Sequence, residues 1–165
     1  MPPLPPLATD RPRVMYGPRF FYHVLKPGRY LGGEEGIALP PPTGDHPLVV
    51  WFYPGRYEEA MADPGWRRGY FQLAGCPNLR CVRAVEYAAD AWDKLARQGL
   101  PPFALDGHGS LRDADLILFW VPDLFAAAHI PSMVRKLGLN DETRPRLGVV
   151  VDGFWAPRFL RGHGG

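Results

Sequence analysis

The chain has 165 residues, a size that suits one domain and can bury a hydrophobic core without disulfide or metal staples. A formal charge of +2, with no dense basic stripe along any predicted helix, excludes the electrostatic footprint of a nucleic-acid binder. No apolar run approaches transmembrane length and no apolar leader opens the chain, so a cytoplasmic, non-membrane protein is expected.

Residues 1–46 read as a proline-rich arm and a lead-in. Pro2, Pro3, Pro5 and Pro6 favour an extended arm. An aromatic stretch, Val14 to Tyr22, leads to the run Lys26 to Glu34, and Pro40-Pro41-Pro42 precedes a turn at Thr43 to His46. Residues 47–157 read as the domain proper. Leu48 to Tyr53 is a continuous apolar run, as expected for a strand buried on both faces. Pro54-Gly55-Arg56 is a sharp loop, and Pro64 opens a helix reaching Leu73. Leu79 to Val85 is the second strand. Ala88 to Gln98 places Ala88, Ala91, Trp92, Leu95 and Ala96 on one helical face, with Gly99 as the stop. Phe103 to Leu105 is a short extended piece, and Ala114 to Val121 is the strongest strand. Helical sequence returns from Leu124 to Leu137, where Pro131 is expected to break or restart the helix and Gly138 to cap it. Leu147 to Val151 is the last strand, and residues 158–165 form a glycine-rich tail.

Apolar strands alternating with amphipathic helices predict an α/β fold. Its open, mainly parallel sheet carries helices on both faces, in the flavodoxin-like, Rossmann-like manner. Only four main strands are visible, so one edge is expected to be unfinished or covered by another segment. The two cysteines, Cys76 and Cys81, read as ordinary residues near a strand start. Two sulfurs alone make a poor metal site, and a disulfide needs a turn that brings their Cβ atoms together.

The order of these segments resembles the cobalamin-binding-like domain that opens a group of large radical-SAM proteins. The lysine-proline-small-arginine-tyrosine run of that family, ending in Gly-Gly-Glu, is matched by Lys26 through Arg29, Tyr30, Gly32, Gly33 and Glu34. Its first strand runs into Pro-Asp-x-Tyr-Glu-x-Gly-Met-Ser; here the register holds Pro54, Gly55, Arg56, Tyr57, Glu58, Glu59, Ala60, Met61 and Ala62. Leu100 to Leu105, Leu111-Arg112-Asp113 and the strand ending in Val151-Asp152-Gly153 also follow the family's order. The resemblance covers most of Lys26 to Pro157 and implies a cobalamin-binding-like fold with a ligand crevice at the strand ends.

The departures bear on function. The family's Asp, Gly and Ser after the first strand are replaced by Gly55, Ala60 and Ala62, which removes a carboxylate, a permissive backbone position and a hydroxyl. No Cys-x-x-x-Cys-x-x-Cys triplet is present, so the chain has no means of holding an iron–sulfur cluster in the family's way. Asp106-Gly107-His108-Gly109 looks like a fragment of the cobalt-ligating Asp-x-His-x-x-Gly motif. It follows the wrong strand, however, and reads as a surface turn.

The ligand-crevice candidates are Arg56, Tyr57, Glu58, Asp123 and Asp152. Tyr57 and Glu58 can touch a ligand, cap the following helix or pair with a nearby arginine. Asp123 suits an N-cap at the crevice edge. Arg29, Tyr30, Glu34 and Glu35 are expected to pin the lead-in to the domain. No catalytic triad, Walker loop, dinucleotide fingerprint or metal site is readable.

These features lead to three expectations of function. The first is a non-catalytic, stand-alone relative of the radical-SAM cobalamin-binding-like domain, acting as an accessory or protein-interaction subunit. Its partner would be a radical-SAM-type enzyme or a second copy of itself. The second is a small-molecule carrier for a corrinoid such as cobalamin, or for a nucleotide. The third is a nucleoside- or sugar-processing enzyme using Glu58, Glu59, Asp115 and Asp123. No cofactor is required by the first.

Overall fold

Six apolar residues in a row, Leu48–Tyr53, form β1 at the centre of a parallel sheet. The computed structural model describes residues 18–35, 37, 46–139 and 145–151. The proline-rich arm up to residue 17, Asp152 and the tail 158–165 lie outside these residues. β2 (Arg80–Val85), β3 (Leu116–Val121) and β4 (Arg146–Val151) complete the sheet, in the order β2-β1-β3-β4, with every pair parallel. The expected α/β architecture is therefore present. The strand order reverses direction between β1 and β3, which makes their carboxyl ends the topological switch point.

Side chains alternate across the sheet and build two cores. Val50, Phe52, Val82, Ala84, Ile117, Phe119 and Val121 meet Ile130 and Met133 of α5 (Leu124–Lys136) on one face. Trp51, Tyr53, Cys81, Val85 and Trp120 face the other way. They meet Ala60 of α2 (Tyr57–Ala62) and Trp66 and Tyr70 of α3 (Pro64–Ala74). The numbering starts with α1, a single turn at Pro18–Phe21, and α4 is Ala89–Gln98. A third cluster joins the lead-in to α4: Phe20, Val24 and Tyr30 pack with Tyr87, Ala91, Leu95 and Phe103.

Local chemistry explains most element ends. Asp63 caps α3 by accepting the Trp66 N–H at 2.9 Å, with Pro64 in the first turn as anticipated. Gly99 ends α4 in the left-handed region at φ 62°, as read from the sequence. Asp123 caps α5 through the Ala126 N–H at 2.8 Å.

Two readings are corrected. Pro131 was expected to break its helix, yet α5 runs through it unbroken. Its ring faces solvent, and burial of Ile130 and Met133 on either side holds the turns together. Asp106 was read as part of a surface turn. The turn exists, but Asp106 is 2% exposed and lies against the sheet edge.

That edge belongs to β2 and is covered, as one of the two alternatives for the sheet required. The Arg83 carbonyl accepts the Leu105 N–H at 2.8 Å, and the Arg83 N–H donates to Asp106 Oδ2 at 2.8 Å. Both outward backbone groups at the middle of the strand are satisfied without a fifth strand.

The lead-in closes over this segment at Gly32, whose φ is +61°. A Cβ there would drive into the Leu105 carbonyl. We predict that Gly32→Ala destabilises the fold by more than the ~1–2 kcal/mol of a left-handed alanine alone, read from the urea midpoint.

Candidate functional site

Two regions gather polar side chains. The first is built around Arg83, an arginine in the middle of a buried strand. Its side chain is 2% exposed, so its charge must be met internally. Nε and Nη2 grip Asp106 in a bidentate pair at 3.0 and 2.6 Å. Nη2 also reaches Glu34 Oε2 at 2.5 Å. Nη1 points to the Met61 sulfur at 4.0 Å, and the Tyr70 ring lies 5.3 Å from the guanidinium carbon. Tyr57 then donates its hydroxyl to Glu34 Oε1 at 2.5 Å. The chain Tyr57–Glu34–Arg83–Asp106 thus links α2, the lead-in, β2 and the covering segment.

Arg29, Tyr30 and Glu34 of the lead-in each bond to other parts of the chain. Arg29 pairs with Glu58 at 2.8 Å, although Glu58 is half exposed and such a pair contributes only about 0–1 kcal/mol. The Tyr30 hydroxyl accepts the Ala88 N–H at 3.1 Å, and the Tyr30 ring stacks on Tyr87. The Tyr30 carbonyl is 2.8 Å from His108 Nε2, so that histidine serves the turn beside Asp106 and the lead-in. Glu35 is exposed.

Tyr57 and Glu58 therefore face the lead-in on the β2 side of β1, away from the switch point. Burial would raise the Glu34 carboxyl, but hydrogen bonds from Arg83 and Tyr57 outweigh it and hold the group below its ordinary range. Burial, followed by the bond to Glu34, pushes the Tyr57 hydroxyl up to about 12. Arg83 is likewise shifted up: burial opposes its charge, and the bonds to Asp106 and Glu34 more than restore it.

The second region is the carboxyl edge at the switch point. Tyr53 ends β1 and Asp123 follows β3. Glu59 Oε2 turns back to cap α2, accepting the Arg56 N–H at 2.8 Å. Asp63 accepts both the Trp66 N–H and the Trp120 Nε1–H, each at 2.9 Å. Burial, then the nearby Asp63, Glu59 and Asp123, raise the Tyr53 hydroxyl. Among the described residues, the buried Trp66 Nε1 has no acceptor. Beyond Asp123, Leu124 and Phe125 stand 86% and 88% exposed. Arg56 is exposed beside this edge, and Asp152 lies outside the described residues.

The remaining chemistry is scattered. Glu86 Oε1 meets His129 Nε2 at 3.1 Å and Lys136 Nζ at 3.9 Å, tying the end of β2 to α5. Cys76 is exposed and Cys81 buried, both as free thiols. Among the described residues, no three His, Cys, Asp or Glu side chains converge as a metal requires. No helix among them is long and apolar enough to cross a membrane.

Arg83 was not singled out from the sequence, and Asp106 was read only as part of a surface turn. A signal was present: an arginine inside a strand of a parallel sheet, which is covered on both faces, demands a carboxylate partner.

Two measurements test the network. Asp106→Ala leaves the Arg83 charge buried and half unpaired, and is expected to cost about 3–5 kcal/mol in urea unfolding. Glu34 has a folded pKa below its unfolded one, so its contribution is full above the ordinary carboxylate range and is lost as pH falls through the lowered value. Tyr57 acts in the opposite direction, contributing below its ordinary range near 10 and losing that contribution as pH rises through about 12. Glu34→Gln is expected to flatten the acid limb of the stability–pH curve; an unchanged acid limb would contradict the assignment. No protein-family model, curated protein or solved structure matches the chain.

Proposed function

We propose that the chain is a relative of the cobalamin-binding-like domain of radical-SAM proteins that performs no catalysis of its own. It acts as an accessory subunit, docking its carboxyl edge on a protein partner. The partner is a radical-SAM-type enzyme or a second copy of this chain.

The observation that carries the reading is the pair Leu124 and Phe125. Both stand more than four-fifths exposed at the start of α5, beside the switch point. Open α/β folds engage their ligands there, and a capped helix start ordinarily presents polar groups to water. Two large apolar side chains standing outward suit a protein surface better than a soluble polar ligand. The polar residues of these loops turn the other way, into caps: Asp123 to Ala126 and Glu59 to Arg56. The family part of the reading is supported by the lead-in motif, whose Arg29, Tyr30, Gly32 and Glu34 each have a defined place against the domain.

The test is cross-linking mass spectrometry on the full chain in cell extract, together with its mass by light scattering. Cross-links to one recurring partner, or to a second copy, are expected to cluster around residues 122–129 and vanish in the double variant Leu124→Asp, Phe125→Asp. A monomer whose cross-links ignore this edge would end the proposal.

The second reading, a corrinoid or nucleotide carrier, draws on the reversal of strand order between β1 and β3. Desalting after incubation with hydroxocobalamin separates the two. The accessory reading expects a colourless protein, whereas a stoichiometric visible band would favour the carrier.

A further inference from the structure

β4 is the last strand of the sheet, and among the described residues no segment pairs with its outer edge. The Arg146 N–H is spent on the Asp115 carbonyl at 3.0 Å, on the β3 side. Backbone groups alternate along a strand, so Gly148 and Val150 also turn theirs toward β3. The N–H and C=O groups of Leu147, Val149 and Val151 therefore point outward. The strand carries none of the features that protect an edge: no proline, no bulge in its register with β3 and no charge at its centre. Val151 is 42% exposed at its end. The opposite side of the sheet is different, because Leu105 and Asp106 already occupy the β2 edge. The sheet can be extended on the β4 side alone.

This strand is complementary to itself in one register. An added strand satisfies the outward groups only where it sets outward residues opposite outward residues. Two antiparallel copies of β4 do so along the whole strand when Val149 meets its own copy and Leu147 meets Val151. A slip by one residue turns outward groups against inward ones, and a slip by two leaves an end residue of the strand unpaired. The same register sets Gly148 against Val150, so a residue without a side chain faces a branched one. On the α5 face, where Leu147 packs, Leu147 of one copy lies beside the exposed Val151 of the other. Arg146, exposed at the start of the strand, is set against the residue that follows Val151 in the sequence, Asp152. Opposite charges thus meet at both ends of the seam. A second copy is the occupant that this charge order specifies, since it reads positive to negative along one strand and negative to positive along the other.

We propose that two copies of this chain join through β4, antiparallel and centred on Val149, so that two four-stranded sheets become one. Because each copy's β2 edge is covered, the assembly closes as a dimer and does not grow into a filament. The seam is separate from Leu124 and Phe125, and the inference does not rest on the accessory role.

Light scattering on the purified full chain tests it, with circular dichroism as the check on folding. The parent chain is expected to be a dimer. Arg146→Asp and Asp152→Arg each set like charges across the seam, and each should raise the dimer dissociation constant about tenfold or more. Mixing these two variants should restore the dimer, because the mixed pair again has opposite charges at both ends. Val149→Pro removes an outward N–H at the centre of the seam and no bond to β3, and should give a folded monomer. Leu124→Asp, Phe125→Asp should leave this dimer intact; its loss there would move the interface to the carboxyl edge and overturn the proposal. A parent that stays monomeric at about 100 μM would overturn it too. So would charge variants that dimerise as the parent does and gain nothing from mixing. Cross-links to another protein at Leu124 and Phe125 would survive that failure, which keeps the two ideas separable.

Discussion

One buried positive charge organises this molecule. Removing a guanidinium from water costs several kcal/mol unless its donors are met and its charge is balanced. Arg83 finds that compensation beside the outer edge of its own strand, where the covering segment and the lead-in meet. Asp106 supplies two hydrogen bonds there and also takes the Arg83 backbone N–H. Glu34 supplies the third contact, and Tyr57 completes Glu34. Strand edge, lead-in and α2 are therefore not independent attachments. Each depends on the same cation, and a change at any of the four residues is felt by the other three.

The two sides of β1 are used differently. Toward β2, polar groups saturate one another, and Tyr57 and Glu58 are spent on the lead-in. Toward β3, Asp63 and Asp123 serve as helix caps, and Leu124 and Phe125 stand outward. A single loop after β1 feeds both sides. Tyr57 and Glu58 turn one way and Glu59 the other, as successive positions around a short helix must. The closed side holds the fold together, and the open side is where binding is proposed.

How much of this was legible depends on the range of each interaction. Runs such as Leu48 to Tyr53 reveal themselves as strands because a parallel sheet is covered on both faces and tolerates almost no polar residue. Caps are equally local: Pro64, Gly99 and Asp123 act within a turn of where they stand. Asp106 is different. Followed by Gly107 it has the signature of an exposed turn, and the turn does form. Its burial is decided by Arg83, 23 residues earlier, and nothing near Asp106 announces that partner. Pro131 misled for the opposite reason: its local cost is real, but burial of Ile130 and Met133 outweighs it. At the switch point, Asp123 was legible as a cap. Tyr53 was read only as one more apolar strand position, because its hydroxyl is invisible to a hydrophobicity pattern.

The wiring of Arg83 also sets an order in time. The lead-in precedes its anchors in the chain: Glu34 is held by Tyr57 and Arg83, and Arg83 in turn by Asp106 after α4. Until Asp106 has emerged, Arg83 is half compensated and Gly32 has no Leu105 carbonyl to lie against. The amino-terminal segment of a nascent chain must therefore wait, undocked, while most of the domain is synthesised. It is locked down only once Asp106 is in place rather than first.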